Sequence, residues 1–225
     1  MNPPTPKDKL GRIDPHIAQA LELGGNAKKI LAFYEAWAED YDLDVGALGD
    51  GYQATATMVS FFSNLDLDGL GVGGTDITIL DAGCGTGLVG VALASAGYTT
   101  IDGIDLSPRM VEQARRRGVY RKLVGSFDLG APPEQRWRQA ADVVFVCGVF
   151  TVGHAPPELV GSCAELVRPG GLLVITTRKA YFDESGYQAH IDDLDRQRRL
   201  EPVAELKDAP YTGDSLGHFF AYTVI

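Results

Sequence analysis

Cysteine is scarce in this chain and poorly placed for cross-linking. There are three among 225 residues, Cys84, Cys147 and Cys163, an odd number with no CxxC pair. That argues against a disulfide framework and against a zinc cluster, and no metal site is expected. Long apolar runs are absent as well. Nothing approaches the roughly 20 residues of a membrane span, and the opening MNPPTPKDKLGRIDP lacks the apolar stretch of a secretory signal. Basic residues fall short of acidic ones, 20 against 30, for a net charge of −10. A protein that neutralises phosphates needs a basic face, so a nucleic-acid partner is disfavoured. Repeats and low-complexity tracts are missing too. What remains is a soluble cytoplasmic protein, monomer or homodimer, whose 45% hydrophobic content is enough to bury a core at this length.

The rhythm of the chain changes at a Gly-rich connector, LDLDGLGVGGTD. Before it, residues 1–15 are expected to be disordered or loosely attached. Helices are expected over 27–38, where Ile30, Leu31, Tyr34 and Trp37 fall at helical spacing, and over 52–64. After the connector, strands at 77–80, 99–105, 120–125, 142–149 and 170–177 alternate with helices at 88–96, 108–117, capped by Ser107, and 157–166. A polar helix is expected between Tyr187 and Leu200, then two strands, PVAELKD and HFFAYTVI. Alternation of this kind builds right-handed βαβ units and a mainly parallel sheet. The last two strands have too little sequence between them for a helical crossover and must pair antiparallel. The division expected is a helical cap or lid over 1–74 and a core over 75–225.

The stretch ILDAGCGTGLVG carries glycine at 83, 85, 87 and 90 directly after an apolar strand. Glycine weakens both helix and strand, so a cluster marks backbone that must approach something closely. In an open α/β sheet that place is the carboxyl end of a strand, where a ligand binds, and the amides of the helix starting near Leu88 attract an anion. GTGLVG satisfies the dinucleotide pattern G-x-G-x-x-G, with Asp105 following Gly85 by 20 residues. Its register is poor. Asp81 would put a carboxylate where a pyrophosphate would sit, and like charges repel in a low-dielectric pocket. S-adenosylmethionine removes the conflict. It has no phosphate, its carboxylate can take loop amides, and its ammonium gains from Asp81. The plainer reading of Asp81 is a carboxylate that ties down the loop by accepting from backbone amides.

The glycine segment resembles the corresponding motif of class I S-adenosylmethionine-dependent methyltransferases. IDGIDLSPRMVEQAR is similar to their second-strand motif, and LVRPGGLLVITT to their approach to the fifth strand. A narrower likeness, on ILAFYEAWAEDYDLDV and PGGLLVITTR, is to the group of the methyltransferase-like protein of the Williams–Beuren syndrome region. The resemblance implies an α/β, Rossmann-like, seven-stranded, mainly parallel sheet with an antiparallel last strand and helices on both faces. It also implies S-adenosylmethionine as cofactor and S-adenosylhomocysteine as product. Asp105 would bind both ribose hydroxyls, with Gly83, Gly85, Gly87, Leu88, Leu106 and Met110 around it. Many relatives end their third strand with an acid that accepts from the adenine amino group. Here Ser126 holds that position, and Asp128 lies two residues on. Phe127 would cover one adenine face, or pack in the core.

Methyl transfer would happen past the fourth and fifth strands. Backbone carbonyls near Cys147 and Gly148 could accept from the ammonium, though the Cys147 side chain itself reads most simply as a small buried hydrophobe. His154 is the candidate general base and Arg178 the candidate holder of an acidic substrate; a surface histidine and a solvated arginine are the plain alternatives. Tyr34, Trp37 and Tyr41 would fold a helix over the cofactor and exclude water, unless that helix is fixed to the core. The segments left to form a substrate site are short, which suits a small-molecule substrate. A cofactor-binding regulator without methyl transfer and an NAD-dependent oxidoreductase are the other readings.

Overall fold

The computed structural model describes residues 15–46 and 51–225. All but the last residue of the Pro-rich start expected to be loosely attached lies outside them. Three short helices come first, α1 (Pro15–Ala20), α2 (Ala27–Trp37) and α3 (Tyr41–Gly46), followed by α4 (Ala54–Ser63). Asn26 starts α2 by accepting from the backbone N–H groups of Lys28 and Lys29. After the connector the chain runs β1 (Ile79–Ala82), α5 (Leu88–Ser95), β2 (Ile101–Ile104), α6 (Pro108–Arg116), β3 (Lys122–Val124), β4 (Ala141–Phe150), α7 (Leu159–Ala164), β5 (Val167–Arg178), α8 (Lys179–Glu184), α9 (Tyr187–Arg196), β6 (Leu200–Thr212) and β7 (Ser215–Val224).

The seven strands form one sheet in the order β3-β2-β1-β4-β5-β7-β6. β1 to β5 run parallel, and β7 is antiparallel to both β5 and β6. The reversal follows from the link between β6 and β7: Gly213, at φ 53°, and Asp214 are all that joins them, too short for anything but a hairpin. The order reverses between β1 and β4, so a crevice opens at their carboxyl ends.

Side chains of β4 and β5 alternate between two cores. Val143, Phe145, Leu172 and Val174 meet α4 and α5 on one face. Val144, Val146, Leu173 and Ile175 meet α7 and α9 on the other. Burial on both faces is why these strands read as continuous apolar runs. Leu23, Phe33, Trp37 and Val45 make a third, smaller cluster within α1–α3, while Met58 and Phe62 of α4 belong to the sheet's core.

The structure departs from the sequence pattern at several elements. α1, α3 and α8 have no periodic signal, each being six residues long. The helix expected up to Leu200 stops at Arg196, because Arg198 turns to φ 55° and Leu200 is drawn into the sheet opposite Val224. β6 is longer than PVAELKD because β7 keeps pairing with it through three register shifts, a long-range gain that local pattern does not carry.

Candidate functional site

β1 ends on Asp81 and Ala82, and the chain turns over Gly83, Gly85 and Gly87, all with positive φ, into α5. Asp81 is fully buried beneath this turn. Tyr120 donates its hydroxyl to Asp81 Oδ2 at 2.6 Å and accepts from the Gly90 N–H at 3.1 Å. Asp81 Oδ1 has no partner among the described residues. Burial raises this carboxyl from 3.8 to about 7, against the opposing effect of the Tyr120 bond.

The four glycines divide by what surrounds them. A Cβ on Gly85 would point into open space within the cleft, and one on Gly83 would strike Val149. A Cβ on Gly87 would press on Ala114 of α6, and one on Gly90 would overlap the Tyr120 ring. Gly83 and Gly85 both line the cleft, Gly83 also making room for Val149, whereas Gly87 and Gly90 admit α6 and Tyr120. The third glycine of the dinucleotide pattern is accounted for by side-chain packing.

A cleft of about 370 Å³ opens over this turn. Asp105, at the end of β2, forms part of its wall and accepts from the Gly85 N–H and the Ser107 N–H, both at 2.8 Å. Burial raises its carboxyl above the usual range, with those amides holding it down. Leu106 and Met110 stand beside it, and Phe127 and Asp128 close the far side. Phe127 also meets Trp137 edge-on at 5.9 Å, so the packing and lining readings of this ring both hold. Ser126 takes φ 58° and is exposed; it turns the chain so that its successors line the cleft. Cys147 and Gly148, from β4, form the opposite wall, with burial pushing the Cys147 thiol up to about 11. Asp81, Gly87, Leu88, Trp37 and Ser126 do not reach the wall, being turned to packing, to the floor or to solvent.

The cap is fastened over this cleft. Glu35 of α2 accepts from the Ser107 hydroxyl at 2.5 Å and the Arg109 N–H at 2.9 Å, at the start of α6. Asp42 of α3 accepts from the Thr86 hydroxyl at 2.5 Å and pairs with Arg117. Tyr34 and Tyr41 line the space below, while Trp37 stacks on Tyr34, meets Tyr41 edge-on and Phe33 at a tilt, and donates to Asp44 at 2.7 Å.

Past Gly148 a smaller lobe, about 50 Å³, continues from the cleft. Tyr34, Tyr41, Gly148 and His154 stand at the junction of the two spaces. Arg178, Tyr52, Tyr211 and Thr212 line the inner end. His154 and Arg178, which the sequence places on separate segments, thus share one lobe. His154 Nδ1 lies 3.1 Å from the Val152 carbonyl, which can only accept, so that nitrogen carries the proton. Nε2 then accepts from the Tyr34 hydroxyl at 2.7 Å. Burial lowers the His154 pKa and raises that of Tyr34, leaving both neutral at pH 7.

Residues 79–171 match the family model described as a methyltransferase domain. They form a methyltransferase domain. The chain is 36% identical to human methyltransferase-like protein 27 over 152 residues, covering 66% of this chain and 57% of that protein. It is 30% identical to the ribosomal protein L11 methyltransferase of Vibrio cholerae over 166 residues, 72% of this chain and 51% of that one. The chain therefore spans about half the length of the curated relatives it matches. Among solved structures, an S-adenosylmethionine-dependent methyltransferase of Leishmania major superposes with a TM-score of 0.65 at 16% identity, covering 99% of this chain and 98% of that one. Magnesium protoporphyrin IX methyltransferase of Synechocystis, with S-adenosylhomocysteine bound, gives 0.62 at 17% identity over 88% and 99%. The fold is that of S-adenosylmethionine-dependent methyltransferases, as the sequence motifs implied.

Within the methyltransferase domain the sequence pattern does not reveal Tyr120, because nothing in YRKLVG distinguishes a ring that crosses to β1 from one that packs locally. Nor does it reveal the Glu35 and Asp42 fastenings. Their only signal is acidity in a segment that would otherwise be a plain amphipathic cap.

Proposed function

We propose that this chain is a class I S-adenosylmethionine-dependent methyltransferase acting on a small molecule. One observation supports it above the others: a wall carboxylate, Asp105, and a buried, unpartnered carboxylate oxygen, on Asp81, flank the Gly83–Gly85 turn of one cleft. That donor set fits the cofactor. Asp105 has lone pairs left for two ribose hydroxyls, and the Asp81 charge, beneath the turn, favours an ammonium group held above it. Leu106, Met110 and Phe127 give the adenine an apolar bed, with Asp128 close to its edge. NAD would instead bring a pyrophosphate toward the Asp81 carboxylate. When bound, S-adenosylmethionine supplies a methyl group on a sulfonium, a good leaving group, so positioning can account for most of the rate.

The chain's own task is then to orient the acceptor, exclude water and take a proton if the acceptor arrives protonated. Tyr34 at the junction is placed to meet that proton while passing its own to His154 Nε2, the neutral imidazole being the final base. The hydroxyl comes from α2, so the site is complete only with the cap closed. The small size of the lobe favours a small molecule over a protein surface, and the three free, buried cysteines support a reducing, cytoplasmic setting.

Calorimetric titration of the purified chain tests the cofactor: S-adenosylhomocysteine is expected to bind and NAD is not. Micromolar NAD binding without a response to S-adenosylhomocysteine ends this reading. Turnover of S-adenosylmethionine across a panel of small acids, amines, phenols and thiols, with ribosomal protein L11 included, tests the substrate class. Cofactor binding with no turnover on any of them would make the chain a cofactor-binding regulator.

A further inference from the structure

The small lobe beyond the cofactor cleft holds a guanidinium and hydroxyls that are incompletely satisfied among the described residues. Arg178, at the end of β5, is half-buried and forms no ion pair among the described residues. Its guanidinium sits over the Tyr211 ring, 5.2 Å from the centroid, and its hydrogen bond to Ser215 Oγ is long, at 3.5 Å. Arg168, also half-buried, holds the Asp142 carboxylate. Thr212 Oγ1 is buried in the same lobe with no partner among the described residues. The Tyr41 hydroxyl makes no hydrogen bond among the described residues. Buried polar groups are almost always satisfied, and a partly desolvated guanidinium without an anion is costly. One buried, unpartnered hydroxyl beside a half-buried guanidinium that no carboxylate holds points to an acceptor that carries negative charge.

The shape narrows the class. About 50 Å³ of space admits a few heavy atoms, given that a single water occupies roughly 10–15 Å³ on this measure. The rings of Tyr52 and Tyr211, perpendicular at 6.0 Å between centroids, wall it with flat apolar surface. The lobe is sized for one small charged group. The planar fork of an arginine matches a carboxylate in two parallel hydrogen bonds.

We propose that this lobe is the anion subsite of the methyl acceptor, and that the acceptor is a small carboxylic acid. Its carboxylate takes the Arg178 guanidinium, with Thr212 and Tyr41 as hydroxyl donors. The remainder of the molecule points back to the junction at Gly148 and Tyr34. The proposal rests on the methyltransferase reading for its meaning, but its binding chemistry can be measured separately.

Calorimetry on the full chain saturated with S-adenosylhomocysteine, using benzoate against benzamide and propionate against propionamide, provides the test. At least one acid is expected to bind tenfold or more tightly than its amide. Arg178→Gln should remove that preference while S-adenosylhomocysteine affinity stays within threefold. Arg178→Lys should retain part of it, and Thr212→Val should weaken the acid several-fold without touching the amide. Acid and amide binding alike, neither binding, or a preference that survives in Arg178→Gln would overturn the proposal. So would inorganic phosphate displacing the acid at lower concentration, since that changes the class. If Arg178→Gln loses its melting transition, Arg178→Lys and Thr212→Val carry the decision. If S-adenosylhomocysteine does not bind, the cofactor reading has failed, and the acid–amide comparison on the free chain still decides the subsite.

Discussion

Replacing Asp81 by asparagine separates stability from binding. In the free protein this carboxyl stands at about 7 instead of 3.8, because burial penalises its charge more than Tyr120 compensates. A carboxyl raised in this way favours the folded state fully only below its unfolded value, and that contribution is lost as pH climbs through the folded one. The rise is 7 − 3.8, about 3 pH units, and each unit is about 1.36 kcal/mol. Part of the loss occurs below pH 5, which leaves about 2–3 kcal/mol between pH 5 and pH 8. Asparagine keeps the shape and can still accept from the Tyr120 hydroxyl, but it has no charge to desolvate. Asp81→Asn should therefore gain about 2–3 kcal/mol on the wild type between pH 5 and pH 8. Denaturant unfolding of both proteins at pH 5, 6, 7 and 8, without ligand, measures this. Binding should move the other way, with S-adenosylhomocysteine weakened tenfold or more by loss of a buried charged acceptor, worth about 1.5–3 kcal/mol. Parallel stability curves across that pH range, or unchanged affinity in the folded variant, would refute the reasoning.

Asp105→Ala should weaken cofactor binding more than tenfold, because both ribose hydroxyls lose their acceptor; an unchanged dissociation constant by calorimetry would misassign the end of β2. Tyr34→Phe should lower kcat by about a hundredfold on a protonated acceptor and far less on an ionised one. In the wild type the acid limb of kcat/KM should fall below 6.5, the ordinary histidine value, since burial lowers His154 and the base works only when neutral. Ligand should slow amide exchange in residues 27–45 well beyond any slowing in the sheet, and Asp42→Ala, which releases the cap from Thr86 and Arg117, should weaken S-adenosylhomocysteine by the same coupling. Equal, strong protection of 27–45 with and without ligand would make α2 a fixed part of the core and remove the lid.

Local physics makes much of this protein legible in its sequence. The apolar runs of β4 and β5 announce burial on two faces, and the short link between β6 and β7 allows only an antiparallel return. The glycines at 83, 85 and 87 announce positive φ, which other residues resist. Asp81 at the end of β1 and Asp105 at the end of β2 follow from the same strand-end logic, because the carboxyl edge of a parallel sheet is where ligands gather. Tertiary structure alone decided which glycine faces what. Gly90 fits a ligand pattern in the sequence, yet its missing Cβ is taken up by Tyr120, from the loop before β3. It decided, too, that Glu35 and Asp42 fasten the cap to α6 and the glycine turn, and that Tyr34 meets His154. The lobe of Arg178, Thr212 and Tyr41 exists only because β5, β6 and the cap converge there. Periodicity records which face of its own element a residue takes. It carries no record of which distant element arrives opposite, since that depends on crossovers and strand register summed over the whole chain.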